Sequence, residues 1–297
     1  MTSTQHAAIA RELEATGEFR VLRRIHPRAT FNEPDGTPTK IGVIVDVETT
    51  GTDPERDEII ELGMVAFEFA PDGRVFKVLE EFGQLCQPTT PIPPEITRIT
   101  GISDAMVAGS TIDAADVADF IDPVAVVIAH NAGFDRRFCE RAWEVFSRKA
   151  WACSATEVDW AAEGFQGTKL AYLVNQIGLF HTGHRATEDC RALLEVLSRT
   201  LPLSGEPALK RLLDTARFPT IRIRAENSPF ETKDALKARA YRWNDGSNGG
   251  PRCWWRDVAE SQLAAEILFL RREIYGRDVE IPTQRLTAFD RFSNRTR

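Results

Sequence analysis

No run of 18 or more apolar residues occurs in this 297-residue chain, so nothing in it is long and apolar enough to cross a bilayer as a helix. Cysteine is scarce and scattered: Cys86, Cys139, Cys153, Cys190 and Cys253 include no CxxC pair. Their number and spacing argue against a structural zinc site and for a reducing, cytoplasmic setting. The first residues, MTSTQHAAIARELEATGEFRVLRRI, lack the apolar centre of a secretory signal. No internal repeat is visible, which sets aside solenoids and propellers. What is present is an ordinary globular composition, 42% hydrophobic and 27% charged, in a chain long enough for about two domains with their own cores.

Charge is divided unevenly. Residues 205–297 hold 18 Lys and Arg against 13 Asp and Glu, whereas the first 204 hold 19 against 31. An acidic body can bind metal and a basic arm can bind nucleic acid.

The first 25 residues read as one amphipathic helix, followed by the Pro/Gly/Asn-rich connection HPRATFNEPDGTPTK. KIGVIVDVETT, EIIELGMVAFEFA and RVFKVLEEFGQLCQP read as three strands, the last two joined by the turn PDG. Helices are expected near 113–121, 131–147, 169–177 and 186–200, and the apolar run AVVIAH fits a strand covered on both faces. Strands first and alternating elements afterwards imply a mixed α/β sheet flanked by helices. We divide the chain into an N-terminal helix and linker (1–39), a larger α/β body (40–203) and a small basic α+β unit (204–297). In the last, TIRIRA is a strand, Ser228 caps a helix with Pro229 first and Glu231 closing a capping box, and YRWNDGSNGGPRCWWRD makes two aromatic strands. A long helix is expected over 258–275.

Within VIVDVETTG, positions two apart share a strand face, so Asp46 and Glu48 lie side by side next to Ile44. Unpaired buried carboxylates cost several kcal/mol each unless a cation joins them. Two further acids face inward. Asp135 lies beside the stripe Phe134, Phe138, Ala142, and Asp189 lies at the edge of the stripe Ala186, Cys190, Leu193, Leu197. Singly, each is more often a helix-end or ion-pair residue. Together the four have no matching set of core-facing bases, and hard cations such as Mg²⁺ or Mn²⁺ take oxygen ligands of this kind.

DVETTG with IIELG, then HNAGFD, then HRATED, resemble in order the three motifs of the DEDDh 3′→5′ exonucleases, the superfamily of the proofreading epsilon subunit of bacterial DNA polymerase III. ITGIS (99–103) also resembles that family. The resemblance covers roughly residues 40–200 and implies a ribonuclease H-like mixed five-stranded sheet. It implies hydrolysis at nucleic-acid 3′ ends by two Mg²⁺ or Mn²⁺ ions, releasing nucleoside 5′-monophosphates. Asp46 would bridge the ions, Glu48 and Asp189 would complete the site that activates water, and Asp135 would hold the second ion. His184 would be the general base, since histidine titrates near working pH. His181, three residues earlier, is expected to have no role.

The resemblance further implies that Thr49, Thr50 and Glu61 contact the terminal sugar and that Asn131 and Phe134 shape the cleft. Thr49 and Thr50 read equally as turn residues, Glu61 as a strand-edge charge and Phe134 as core. A DNA substrate, in proofreading or repair with a polymerase or repair partner, is favoured. An exoribonuclease and a non-catalytic nucleic-acid-binding module are the alternatives. In the basic unit, Tyr241, Trp243, Trp254 and Trp255 interleave with Arg239, Arg242, Arg252 and Arg256. These residues make either a strand-binding surface or, for at least two of the aromatics, the core of a small domain.

Overall fold

The structure, a computed structural model, describes residues 3–246 and 249–296. Helix α1 (Ser3–Ala15) is shorter than the sequence suggests. Gly17, at φ 77°, ends that run, and Arg23–Arg24 form a short strand, β1, paired in parallel with Leu179–Phe180.

Three strands then form an antiparallel meander: β2 (Lys40–Thr49), β3 (Ile59–Phe69) and β4 (Val75–Leu85). The Pro-rich loop carries short helices α2 (Pro94–Thr100) and α3 (Asp104–Val107), and α4 (Ala114–Ile121) is capped by the Asp113 side chain. Then follow β5 (Val126–Ala129), α5 (Ala132–Ala142), β6 (Trp151–Cys153), α6 (Leu170–Gln176), β7 (Leu179–Phe180), α7 (Ala186–Leu197) and α8 (Ala208–Arg217). The sheet order is β4-β3-β2-β5-β6, with β5 and β6 parallel to β2. This is the mixed five-stranded, ribonuclease H-like α/β sheet that the motifs imply.

Strand β2 runs through the middle because its alternation serves two cores. Val43, Val45 and Val47 enter a cluster with α4 and α5, and Ile44 enters another with α6, α7 and α8. Asp46 and Glu48 continue the Ile44 side toward α7. The short β5 is buried at every position, as its unbroken apolar sequence requires.

The second sheet, ordered β11-β8-β10-β9, is antiparallel throughout: β8 (Thr220–Glu226), β9 (Arg242–Asn244), β10 (Cys253–Ala259) and β11 (Thr283–Leu286). Helices α9 (Lys233–Ala238) and α10 (Leu263–Phe269) cover one face, with Ile221, Ile223, Leu236, Val258 and Leu270 between them. Two expectations are corrected here. Ser228 does not cap a helix, because 230–232 form a 3₁₀ turn with no side-chain cap and α9 begins only at Lys233. The long helix does not begin at Val258, since that residue pairs with Ile221 in the sheet and regular α-helix runs only over α10.

The C-terminal 94 residues are shared between the two cores. Leu209, Leu212 and Leu213 of α8 pack in the core of the large sheet. The segment after β11 also returns to that body. The fully buried guanidinium of Arg136 donates to the carbonyl oxygens of Ala288, Phe289 and Arg291 and pairs with Glu140 at 2.7 Å.

Candidate active site

The site forms where the parallel strands end. β5 pairs with β2 only as far as Ile44 opposite Ile128, so the last residues of β2 present an open edge. The chain turns from β5 into α5 there. Asp135, in the first turn of α5 and 3% exposed, accepts the Val47 N–H at 3.2 Å. Asn131 takes the N-cap position of α5 without a side-chain cap bond.

The opposite wall is α7. Asp46, Gly63 and Gly83 lie in register across β2, β3 and β4, and the first turn of α7 rests on the two glycines. A Cβ on Gly63 would lie 2.4 Å from the Ala186 carbonyl carbon, and one on Gly83 would lie 2.6 Å from Thr187 Oγ1. Glu61 fixes the same turn, accepting from Ala186 N at 3.0 Å and pairing with Arg185 at 2.9 Å. Asp189, one turn on, is held over β2. Its oxygens accept from His184 N at 2.8 Å and lie 2.6 Å from His181 Nε2.

Asp46, Glu48 and Asp189 each place a ligand oxygen within 4.8 Å of the others. Burial, then the charges of Asp135 and Asp189, hold the Asp46 carboxyl well above the usual range. Burial, then Asp189, pushes Glu48 up to about 8. Burial raises Asp135 to about 7 against the opposing Val47 hydrogen bond. Such acids are short of positive charge, so the donor set fits divalent cations and their oxygen preference.

The acids open on a cleft of about 690 Å³, walled also by His130, Asn131, Phe134, Lys169, His181 and His184. His184 is exposed, with its backbone in the left-handed region at φ 65°. Phe134 is half-buried, 4.9 Å from Phe138, so it serves both core and cleft.

Three expected substrate contacts are not on this wall. Thr49, the last residue of β2, and Thr50, in the turn after it, are buried; Thr49 Oγ1 donates to Gly51 O at 2.5 Å and Thr50 Oγ1 accepts from Glu58 N at 2.9 Å. Glu61 is 4% exposed, its carboxylate taken up by Arg185 and the end of α7. Two cleft residues, His130 and Lys169, escaped the sequence reading, and a third, His181, was expected to have no role. His181 is the imidazole that touches Asp189, its side chain 4% exposed. His130 spans Ser154 Oγ at 2.9 Å and Thr168 O at 2.6 Å, and burial lowers its pKa. Lys169 brings a cation to the rim. Only the histidine pair in HTGH offered a signal, and its spacing did not say which imidazole would reach the acid.

A ribonuclease H-like sheet with Asp46 and Glu48 at the end of its central strand, and Asp135 and Asp189 on the helices beside it, defines a nuclease-like class. Residues 43–197, more than half of the chain, match the family model RNase_T, described as exonuclease, and the chain belongs to that family. It is 30% identical over 186 residues to the DNA polymerase III subunit epsilon of Treponema pallidum, covering 60% of this chain and 83% of that one. It is 26% identical over 213 residues to the DNA polymerase III PolC-type of Thermotoga maritima, covering 67% of this chain but 14% of that protein. The 3′-5′ exonuclease DinG of Bacillus subtilis is 31% identical over 185 residues, 57% of this chain and 19% of that one. Among solved structures, E. coli exonuclease I with a dA16 oligonucleotide superposes with a TM-score of 0.49 at 15% identity, covering 74% of this chain and 63% of that one.

Proposed function

We propose that the chain is a divalent-metal-dependent 3′→5′ exonuclease acting on DNA ends. The observation that carries this is the convergence of Asp46, Glu48 and Asp189 from β2 and α7, with Asp135 beside them, on one open cleft. Mg²⁺ or Mn²⁺ ions held by these four acids would supply positive charge to the attacking and leaving oxygens of an in-line displacement. A water oxygen attacks the terminal phosphorus, the bond from phosphorus to the 3′ oxygen breaks, and a nucleoside 5′-monophosphate leaves. The shortened strand keeps a 3′ hydroxyl once that oxygen takes up a proton. His184 at the rim accepts the proton of the attacking water, and His181 steadies Asp189. Asn131 and Phe134 flank the last nucleotide, and Lys169 meets a phosphate at the mouth.

The names of the relatives, two of them DNA polymerase III components, support DNA as substrate and a polymerase or repair partner. The five free thiols fit the cytoplasm. The test is incubation of the purified protein with end-labelled single-stranded DNA, duplex DNA and RNA, with Mg²⁺, Mn²⁺ or a chelator. The expected result is a ladder shortened from the DNA 3′ end only when metal is present, and lost in Asp46→Ala. Degradation of RNA alone makes the chain an exoribonuclease. Binding without degradation under either metal makes it a non-catalytic module.

A further inference from the structure

The alternation I-R-I-R in β8 places Ile221 and Ile223 on the face covered by α9 and α10 and Arg222 and Arg224 on the other. Register puts Trp255 and Asp257 of β10 beside those arginines and Arg242 of β9 beside Trp255. An arginine-rich sheet face ordinarily looks into bulk water. This one is turned toward the exonuclease body and closes against α5, leaving a pocket of about 190 Å³ that Gly133 and Arg137 also line. Its lining includes five arginines and one carboxylate, Asp257.

The arginines are arranged in advance. Arg222 forks onto Asp257 at 2.8 and 2.9 Å and lies 4.2 Å from the Trp255 ring, and Arg242 lies 5.6 Å from the same ring. With two guanidinium groups against it, Trp255 acts as a rigid support for cations, which suits phosphate more than a stacked base. The other aromatics divide as a small domain requires. Tyr241 is core, Trp254 packs against that core, and only Trp243, half exposed, faces out. Arg239 and Arg256 pair with buried Glu266.

Helix α5 links this pocket to the cleft. Asn131, Phe134 and Asp135 line the cleft, and Gly133 and Arg137 line the pocket. The two lie on opposite flanks of one helix, about 10–12 Å across with its side chains. A Cβ on Gly133 would meet nothing within 4 Å, so the first turn of α5 leaves room for a strand to cross.

We propose that this pocket binds backbone phosphates of the single strand whose 3′ end lies in the cleft, a few nucleotides back from the scissile bond. The inference rests on the exonuclease reading and adds to it a strand path over α5 onto the arginine face.

The test compares the full chain with Arg137→Ala, Arg242→Ala and their double variant on a dinucleotide and a long oligothymidylate, over a salt series with metal present. Arg137 and Arg242 are both exposed, and melting curves check the fold. The expected result is a KM for the long strand, relative to the dinucleotide, that rises about tenfold in the double variant. The slope of log K against log salt becomes shallower by about 0.7 per arginine removed. Arg242→Lys should recover most of the salt slope. An unchanged length dependence and salt slope, in a parent that degrades both substrates, overturns the strand path and leaves the exonuclease reading intact. A parent that degrades neither substrate defeats that reading itself. Displacement of the long strand by inorganic phosphate as readily as by oligothymidylate, in the parent but not in the double variant, would make the pocket a site for a single phosphate and also overturn the proposal.

Discussion

At the scale of single residues, the site depends on where two imidazoles and four carboxylates stand. His184 adopts φ 65°, a conformation that costs a side-chain-bearing residue about 1–2 kcal/mol, and persists because Asp189 accepts its N–H. Replacing His184 by Ala should lower turnover by roughly 10² to 10⁴, the range for general acid–base catalysis. His184→Gly should lose activity similarly yet be more stable than His184→Ala by about 1 kcal/mol, because glycine meets no penalty at positive φ. Thermal melts of the two variants decide this. Equal stability would mean the backbone there is not strained. Asp46→Asn should abolish cleavage while leaving the metal-free fold as stable or more so near neutral pH. It removes an acid that burial and Asp135 already disfavour.

At the scale of elements, the helix α7 is set down on the sheet by what is missing from β3 and β4. Gly63 faces Asp46 across the ladder and sits under the first turn of α7. Gly63→Ala should therefore push α7 outward and carry Asp189 away from Asp46 and Glu48. Overpacking of this kind costs about 1–3 kcal/mol, and metal-dependent cleavage should fall further than stability alone explains. Calorimetric metal titration checks it: affinity equal to that of the parent would show that α7 is held by Glu61 and Arg185 without the glycine contact. The same element logic explains where Thr49, Thr50 and Glu61 stand. Thr49, Thr50 and Glu61 lie next to the motif in sequence, but their polar atoms are used to close the turn after β2 and to hold the end of α7.

At the scale of the whole molecule, raised acid pKa values tie stability to pH and to metal. Glu48 near 8 and Asp135 near 7 lie above their unfolded values, so the folded chain binds more protons through that window. Stability of the metal-free protein should fall as pH rises from about 4 toward 8. Metal needs the deprotonated carboxylates, so the rise in Tm on adding Mg²⁺ or Mn²⁺ should be larger at about pH 8 than at about pH 5.5. Melts in chelator and in metal at both pH values test this, and a metal effect that does not change with pH would contradict it. The buried Arg136 also ties the segment after β11 to α5, and Arg136→Met should cost about 1–3 kcal/mol. It leaves the Arg291 carbonyl oxygen without its donor, whereas Glu140 keeps Ser293 and Arg295, Ala288 O keeps the Trp151 N–H and Phe289 O keeps Arg295.

Local chemistry in the sequence determined much of this. The alternation of β2, the unbroken apolar run of β5 and the helical stripes beside Asp135 and Asp189 each follow from periodicity within one element. The order of the motifs placed the four acids on one body. Tertiary structure decided what depends on contacts between distant segments. Which imidazole touches Asp189 follows from the path of the loop before α7. Whether Glu61 faces substrate or a helix end follows from where α7 lands. The return of residues 287–296 to Arg136, and the arginine face of β8 turned toward α5, depend on packing between elements more than 80 residues apart. Periodicity reports which face of an element is apolar, and it carries no information about which distant element will cover the other face.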